Sequence, residues 1–155
     1  MIILSIGLLA LTSLQLGSLK ATNEARVSTS ITLLTQEMAD RIRVNRAGWP
    51  AYDNTSLSPP TTAGTDCATD AAVCNPTALV AFDTKEWIDA LEESVGFLVR
   101  GSINRITTVT PNEFVIRVQW DANRTGSLPA ATACPASNAT VSLDPAGCYR
   151  LRFTP

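Results

Sequence analysis

The sequence predicts an α+β fold: a long N-terminal helix packed on a small antiparallel β-sheet, with one extra short helix and disulfide-tied loops. Three observations predict it. The front of the chain is uninterrupted helix language, with no Pro before Pro50 and no Gly between Gly17 and Gly48. The later part holds runs in which apolar and polar residues alternate with period two. Cys67, Cys74, Cys134 and Cys148 fall as two local pairs in the Thr-, Ala- and Pro-rich stretches around those runs.

The long helix divides at Lys20. Met1 to Leu19 carries no charge, and twelve of its nineteen residues are Met, Ile, Leu or Ala. Nineteen helical residues span roughly 28 Å, close to the roughly 30 Å of a bilayer's hydrocarbon core. A cleaved secretory signal would carry a basic n-region, and a core helix in a short chain would be less uniformly apolar. A membrane-spanning helix fits best, with Ile3, Leu4, Ile6, Gly7, Leu8, Leu9, Leu11, Leu14 and Leu16 as its membrane and assembly surface.

Beyond Lys20 the apolar residues recur at Val27, Ile31, Leu34, Met38 and Ile42, steps that trace one helix face. Asn23, Glu24, Ser28, Gln36 and Asp40 lie opposite. Glu37 and Arg41 form an i,i+4 pair in the favourable order. Arg41, Arg43 and Arg46 complement the negative end of the helix dipole, and Gly48 with Pro50 is expected to end the helix. Three units result: 1–19 in lipid or filament core, 20–48 as the amphipathic half of the same helix, and 49–155 as a globular head. The Asp40–Arg46 cluster allows two readings, a helix end with internal pairs such as Asp40/Arg43, or a contact surface for a partner subunit.

Trp49 to Ala81 is loop-like, with Pro59-Pro60 at its centre. Asp83 with Glu86 three residues on reads as the capping box of the extra helix, whose inward face is Trp87, Ile88, Leu91 and Val95 and whose C-terminal cap is Gly96. Ser102–Thr110 and Glu113–Trp120 read as strands, the second half-buried, with Pro111-Asn112 as the turn between them. A second loop covers Asp121–Gly147, and Cys148–Phe153 closes the sheet of three or four strands. The apolar helix stripe is the available cover for one sheet face.

Composition closes off several functions. Twelve basic against fourteen acidic residues leave no electrostatic footprint for nucleic acid. The chain has no histidine, which removes the commonest general base and metal ligand. The candidate acids Asp66, Asp70, Asp83, Glu86, Asp89, Glu92 and Glu93 form no nucleophile-and-base pattern, so no catalysis, metal or cofactor is expected. The cysteine spacings do not fit zinc and point to disulfides in an oxidising compartment. Of three possible connectivities the local one is preferred, because closing a loop of about 15 residues stabilises by roughly 3 kcal/mol in the chain-entropy model.

The run Ile3-Leu4-Ser5-Ile6-Gly7-Leu8-Leu9-Ala10-Leu11, then Leu14-Gln15-Leu16, then Met38-Ala39-Asp40-Arg41-Ile42-Arg43-Val44-Asn45-Arg46-Ala47-Gly48, resembles PilV-type minor pilins of type IV pili. Phe82-Asp83 with Trp87 and Leu91, and Val118-Gln119-Trp120-Asp121, are also similar to that family. The resemblance implies the type IV pilin fold and a minor pilin acting in assembly initiation or at the pilus tip. It implies an inner-membrane subunit with a periplasmic head, later part of the surface pilus. The implied partners are other minor pilins, the major pilin and the inner-membrane assembly platform. A type II secretion pseudopilin is the alternative within the same architecture. A tip adhesin is the alternative outside it, meeting a surface receptor through the cysteine-bearing loops. The basic leader and its cleavage motif are not in this sequence, so the expectation is that the leader and the start of the mature helix are missing.

Overall fold

The computed structural model describes residues 2–53, 55–58, 66–69, 74–96, 98–109, 111–130, 134, 141–144 and 147–155, without the side chains of 2–13, 16, 55, 142 and 144. Helix α1, Ile2–Val44, runs unbroken for 43 residues. At about 1.5 Å per residue it is roughly 65 Å long, far more than the head can cover. From Leu14 to Arg26 its described side chains are exposed, and Val27 is the first one buried. Ile31, Met38 and Ile42 are fully buried, while Leu34 is only half-buried at the edge of the stripe. Thr35 and Ala39 complete the buried face, because the tightly packed strip is wider than the apolar residues alone suggest.

The helix stops before the expected Gly48. Asn45 leaves the helical region, at φ −89° and ψ 63°, and its side-chain oxygen accepts from the Gly48 amide. A 3-10 turn at Arg46–Gly48 follows, and then the short helix α2, Trp49–Tyr52. Pro50 therefore sits in the first turn of α2, where its missing N–H costs nothing, instead of terminating α1.

The extra helix is also displaced from its expected start. Helix α3 spans Pro76–Val95, twenty residues in place of a short helix from Asp83. Asn75 is the true cap, accepting from Ala78 N at 2.8 Å, and Pro76 occupies the first turn. Asp83 lies inside the helix and is buried, so the Asp83/Glu86 capping box does not form. Gly96 caps the C-terminus in the left-handed conformation at φ 71°, with its N–H on Glu92 O.

Five antiparallel strands follow the order β1-β2-β3-β5-β4. They are β1 Thr55–Leu57, β2 Val99–Ile106, β3 Glu113–Trp120, β4 Val141–Asp144 and β5 Cys148–Phe153. The bounds of β3 and β5 match the sequence reading, and β2 starts three residues earlier than expected. β1 and β4 lie in segments read as loops; each is a short edge strand without a marked alternation. Register aligns Gly101, Val118 and Tyr149 in one row and Ile103, Ile116 and Leu151 in the next, and this face carries the core. α1 packs against β3, β5 and α3, and α3 packs against β2. Trp87 lies so close over Gly101 that a Cβ there would overlap its ring.

β3 is more buried than a half-buried strand. Val115 and Gln119, on the far face, are buried too. Residues 121–130 fold back over that face, where Gln119 donates to Pro129 O at 3.2 Å. The Asp121 carboxylate shapes the turn by accepting from Thr125 N at 2.9 Å and Gly126 N at 2.7 Å. Two disulfides, Cys67–Cys74 and Cys134–Cys148, pair the cysteines locally, with Cα separations of 5.8 and 5.6 Å. These features make an α+β chain with the type IV pilin fold.

Candidate assembly interface

The residues from Met38 to Gly48 sort into three roles. Met38, Ala39 and Ile42 are core. Arg41, Asn45 and Gly48 hold the end of α1 to the elements beside it. Asp40, Arg43 and Arg46 are exposed to solvent.

The holding residues meet at a buried polar clamp. Tyr52, fully buried on α2, donates from Oη to Asp83 Oδ2 of α3 at 2.7 Å. Arg41 of α1 donates to the other oxygen, Asp83 Oδ1, at 3.2 Å and to Glu37 Oε1 at 2.7 Å. Asn45 Nδ2 donates to Pro76 O at 2.9 Å, fixing the start of α3 to the end of α1. Trp49 Nε1 donates to Ile42 O at 2.8 Å, one of the carbonyls left open by the end of α1. A Cβ on Gly48 would overlap the Asn45 amide, so the turn requires glycine there.

The electrostatics follow from burial. Desolvation, followed by the neighbouring Asp83 carboxylate, holds the Tyr52 phenol well above its ordinary pKa, so it stays a neutral donor. Burial works against the Arg41 charge, but Glu37 and Asp83 outweigh it and raise its pKa further. The clamp thus ties the C-terminal end of α1 to α2 and to the first turns of α3.

Outside the clamp, Arg43 pairs with Asp40 at 2.6 Å, the internal pair expected of a helix end, and stacks on Phe153 at 4.8 Å. Phe153 stacks on Phe114 at 5.9 Å, Trp49 meets Phe114 edge-on at 6.0 Å, and Arg46 covers Trp49 at 5.4 Å. The guanidiniums therefore cap an aromatic column at the α1 C-terminal end of the head.

The sequence singled out Arg41, Asn45 and Asp83 in separate roles, missed Tyr52, and did not bring the four together. Only Asn75-Pro76, a cap followed by a first-turn proline, signalled that α3 begins early and carries Asp83 inside it. Of the expected membrane and assembly surface, Leu14 is exposed; the remaining side chains lie outside the described residues. Among the described residues, no helix is long and apolar enough to cross a membrane, and no cluster of metal-ligating side chains occurs. Asp70 lies outside the described residues.

Residues 13–85 match the family model of Tt1218-like proteins, described as type IV pilin Tt1218. No curated protein and no solved structure matches the chain. The matched span contains all four clamp residues, Arg41, Asn45, Tyr52 and Asp83, together with the buried stripe of α1. Type IV pilins are structural proteins, anchored in the membrane and assembled with other pilins into a cell-surface pilus. Fold and family match together support reading this chain as a type IV pilin.

Proposed function

We propose that the chain is a minor pilin of the PilV type, acting in pilus assembly initiation or the tip complex by packing its helix and head against other pilins. The observation that carries this is the projection of α1 beyond the head. Its described side chains from Leu14 to Arg26 are exposed, Leu14 and Leu19 at 71% and 68%. Leucines on an unsupported helix are unfavourable in water and favourable in lipid or among other helices. Residues 1–19 would sit in the inner membrane with the head, 49–155, in the periplasm, and 20–48 would join the two. On assembly the helix exchanges lipid for neighbouring helices, so little apolar surface meets water at any stage. Gly7 and Gly17 suit close helix approach in either setting.

The test is a charge placed in that helix. Gly7→Arg or Leu8→Arg is expected to remove the subunit from sheared surface filaments while the head keeps both disulfides. Unchanged filament number and composition refutes the proposal. Co-purification of other minor pilins from the inner membrane supports the pilus assignment, whereas recovery with secretion components assigns the chain to a pseudopilus.

A further inference from the structure

α1 and α3 run antiparallel: Asn45 reaches Pro76 at one end, while Val27 and Val95 line one recess at the other. That recess, about 610 Å³, lies at the base of the head, where α1 leaves it toward the apolar N-terminal run. Counted along α1 from Leu19, the last residue of that run, Asn23 and Arg26 stand roughly 6 and 10 Å farther on, and both line the recess. The headgroup layer of a bilayer adds roughly 5–8 Å outside the hydrocarbon core. Side chains on a helix lean toward its N-terminus, so the long Arg26 side chain extends back toward that layer. With residues 1–19 in the membrane, the recess sits at headgroup height.

Its charges are of both signs and come from different elements. Arg26 of α1 and Arg124 of the turn after β3 supply two guanidiniums, and Glu93 of α3 supplies a carboxylate. Arg124 is, among the described residues, the one non-glycine at positive φ, 53°. Such a conformation persists only where the surroundings enforce it, and Asp121 enforces it here by accepting from Thr125 N and Gly126 N. Asp121 also lines the recess, but the turn amides occupy its oxygens, so Glu93 is the carboxylate left for a ligand. Glu93 lies in the last turn of α3, which holds no basic residue, so its charge adds to the negative end of the helix dipole. Neither Arg26 nor Glu93 has an ion-pair partner among the described residues. Across one recess, therefore, an anion is favoured on the α1 side and a cation at the end of α3.

We propose that this recess binds the headgroup of a zwitterionic membrane phospholipid, with the phosphate on Arg26, Arg124 and Asn23 and a primary amine of the ethanolamine class on Glu93. A phosphate accepts paired, charge-assisted hydrogen bonds from guanidinium. A primary ammonium brings three donors, which suit the Glu93 carboxylate and the carbonyls left open at the end of α3. A choline headgroup has no such donors, and a glycerol headgroup leaves Glu93 without a cation. The inference rests on the pilin reading, which puts α1 in the membrane, and adds to it a lipid contact that holds the head at the bilayer surface before assembly.

The experiment uses the full chain in detergent micelles, titrated with phosphatidylethanolamine, phosphatidylcholine or phosphatidylglycerol, and native mass spectrometry reads the lipid retained per chain. The expected result is one retained phosphatidylethanolamine and weaker retention of the other two. Arg26→Gln is expected to weaken that retention about tenfold, the size of one charge-assisted contact, and Glu93→Gln to erase the preference for ethanolamine over glycerol. Both side chains are exposed, so both variants should keep the two native disulfides and the native Tm. Equal retention of the three lipids overturns the proposal, as does a preference for phosphatidylglycerol or full retention by Arg26→Gln. Glycerophosphoethanolamine, which has no acyl chains, is the control for a soluble source, and its binding as tightly as the lipid also overturns the proposal. Filament content reads the pilin assignment and lipid retention reads the recess, so the two fail separately.

Discussion

Replacing Asp83 with Ala removes the acceptor on which the clamp converges. Two interactions are lost. The buried hydrogen bond from Tyr52 Oη, 2.7 Å long and made to a charged acceptor, contributes about 1.5–3 kcal/mol. The Arg41 pair, with the arginine side chain 30% exposed, contributes only about 0.5–1 kcal/mol after solvent screening. Arg41 keeps Glu37, so no bare cation is left behind, but the buried Tyr52 hydroxyl loses its short bond to a charged acceptor and keeps the longer contact with the Asn45 amide at 3.5 Å. The expected loss is about 3 kcal/mol, or roughly 6–12 °C in Tm for a chain of this size. Urea unfolding followed by Trp fluorescence measures it, since Trp49 adjoins the clamp through Ile42 O. Tyr52→Phe should cost about 1.5 kcal/mol, and the double variant little more than Asp83→Ala alone. A loss below about 0.5 kcal/mol for Asp83→Ala, or simple additivity of the two variants, refutes the clamp as a coupled unit.

Alkaline pH tests the same network. The Tyr52 phenol has a folded pKa raised above its unfolded value of about 10, so its contribution is complete below pH 10 and falls as pH rises toward the folded pKa. Stability should decline above about pH 10 by up to 1.4 kcal/mol per pH unit for this group, and Tyr52→Phe should remove that part of the slope in pH-dependent urea titrations. Tyr149, raised mainly by burial, supplies a second such loss that survives in the Tyr52 variant. Gly101→Ala should cost about 1–3 kcal/mol and shift the Trp emission, because the new methyl and the Trp87 ring claim the same space. Replacing Cys134 and Cys148 with Ser should cost about 3 kcal/mol by thermal unfolding, somewhat more than replacing Cys67 and Cys74, whose closed loop is shorter.

Much of the fold was legible because it is local. The uninterrupted helix of α1, the stripe from Val27 to Ile42, the alternation in β3 and the Gly96 cap each rest on neighbours within a few residues in sequence. The local cysteine pairing was legible for the same reason, since short loops cost little entropy to close. β1 and β4 were not. A three- or four-residue edge strand is defined by its partner, and nothing in Thr55–Leu57 indicates that β2 lies alongside.

The sequence alone determined that a long amphipathic helix continues an apolar one, that a small sheet follows, and that histidine chemistry is absent. Only the tertiary structure decided what Asp83 does. Its spacing to Glu86 imitates a helix cap, but Asn75 and Pro76 start the helix earlier, and that carries Asp83 about two turns inside, facing Tyr52 and Arg41. A carboxylate whose partners lie 31 and 42 residues away leaves no periodic trace in the chain. Periodicity records which side of an element is buried; the partner that meets a polar group on that side is set by how separate elements pack.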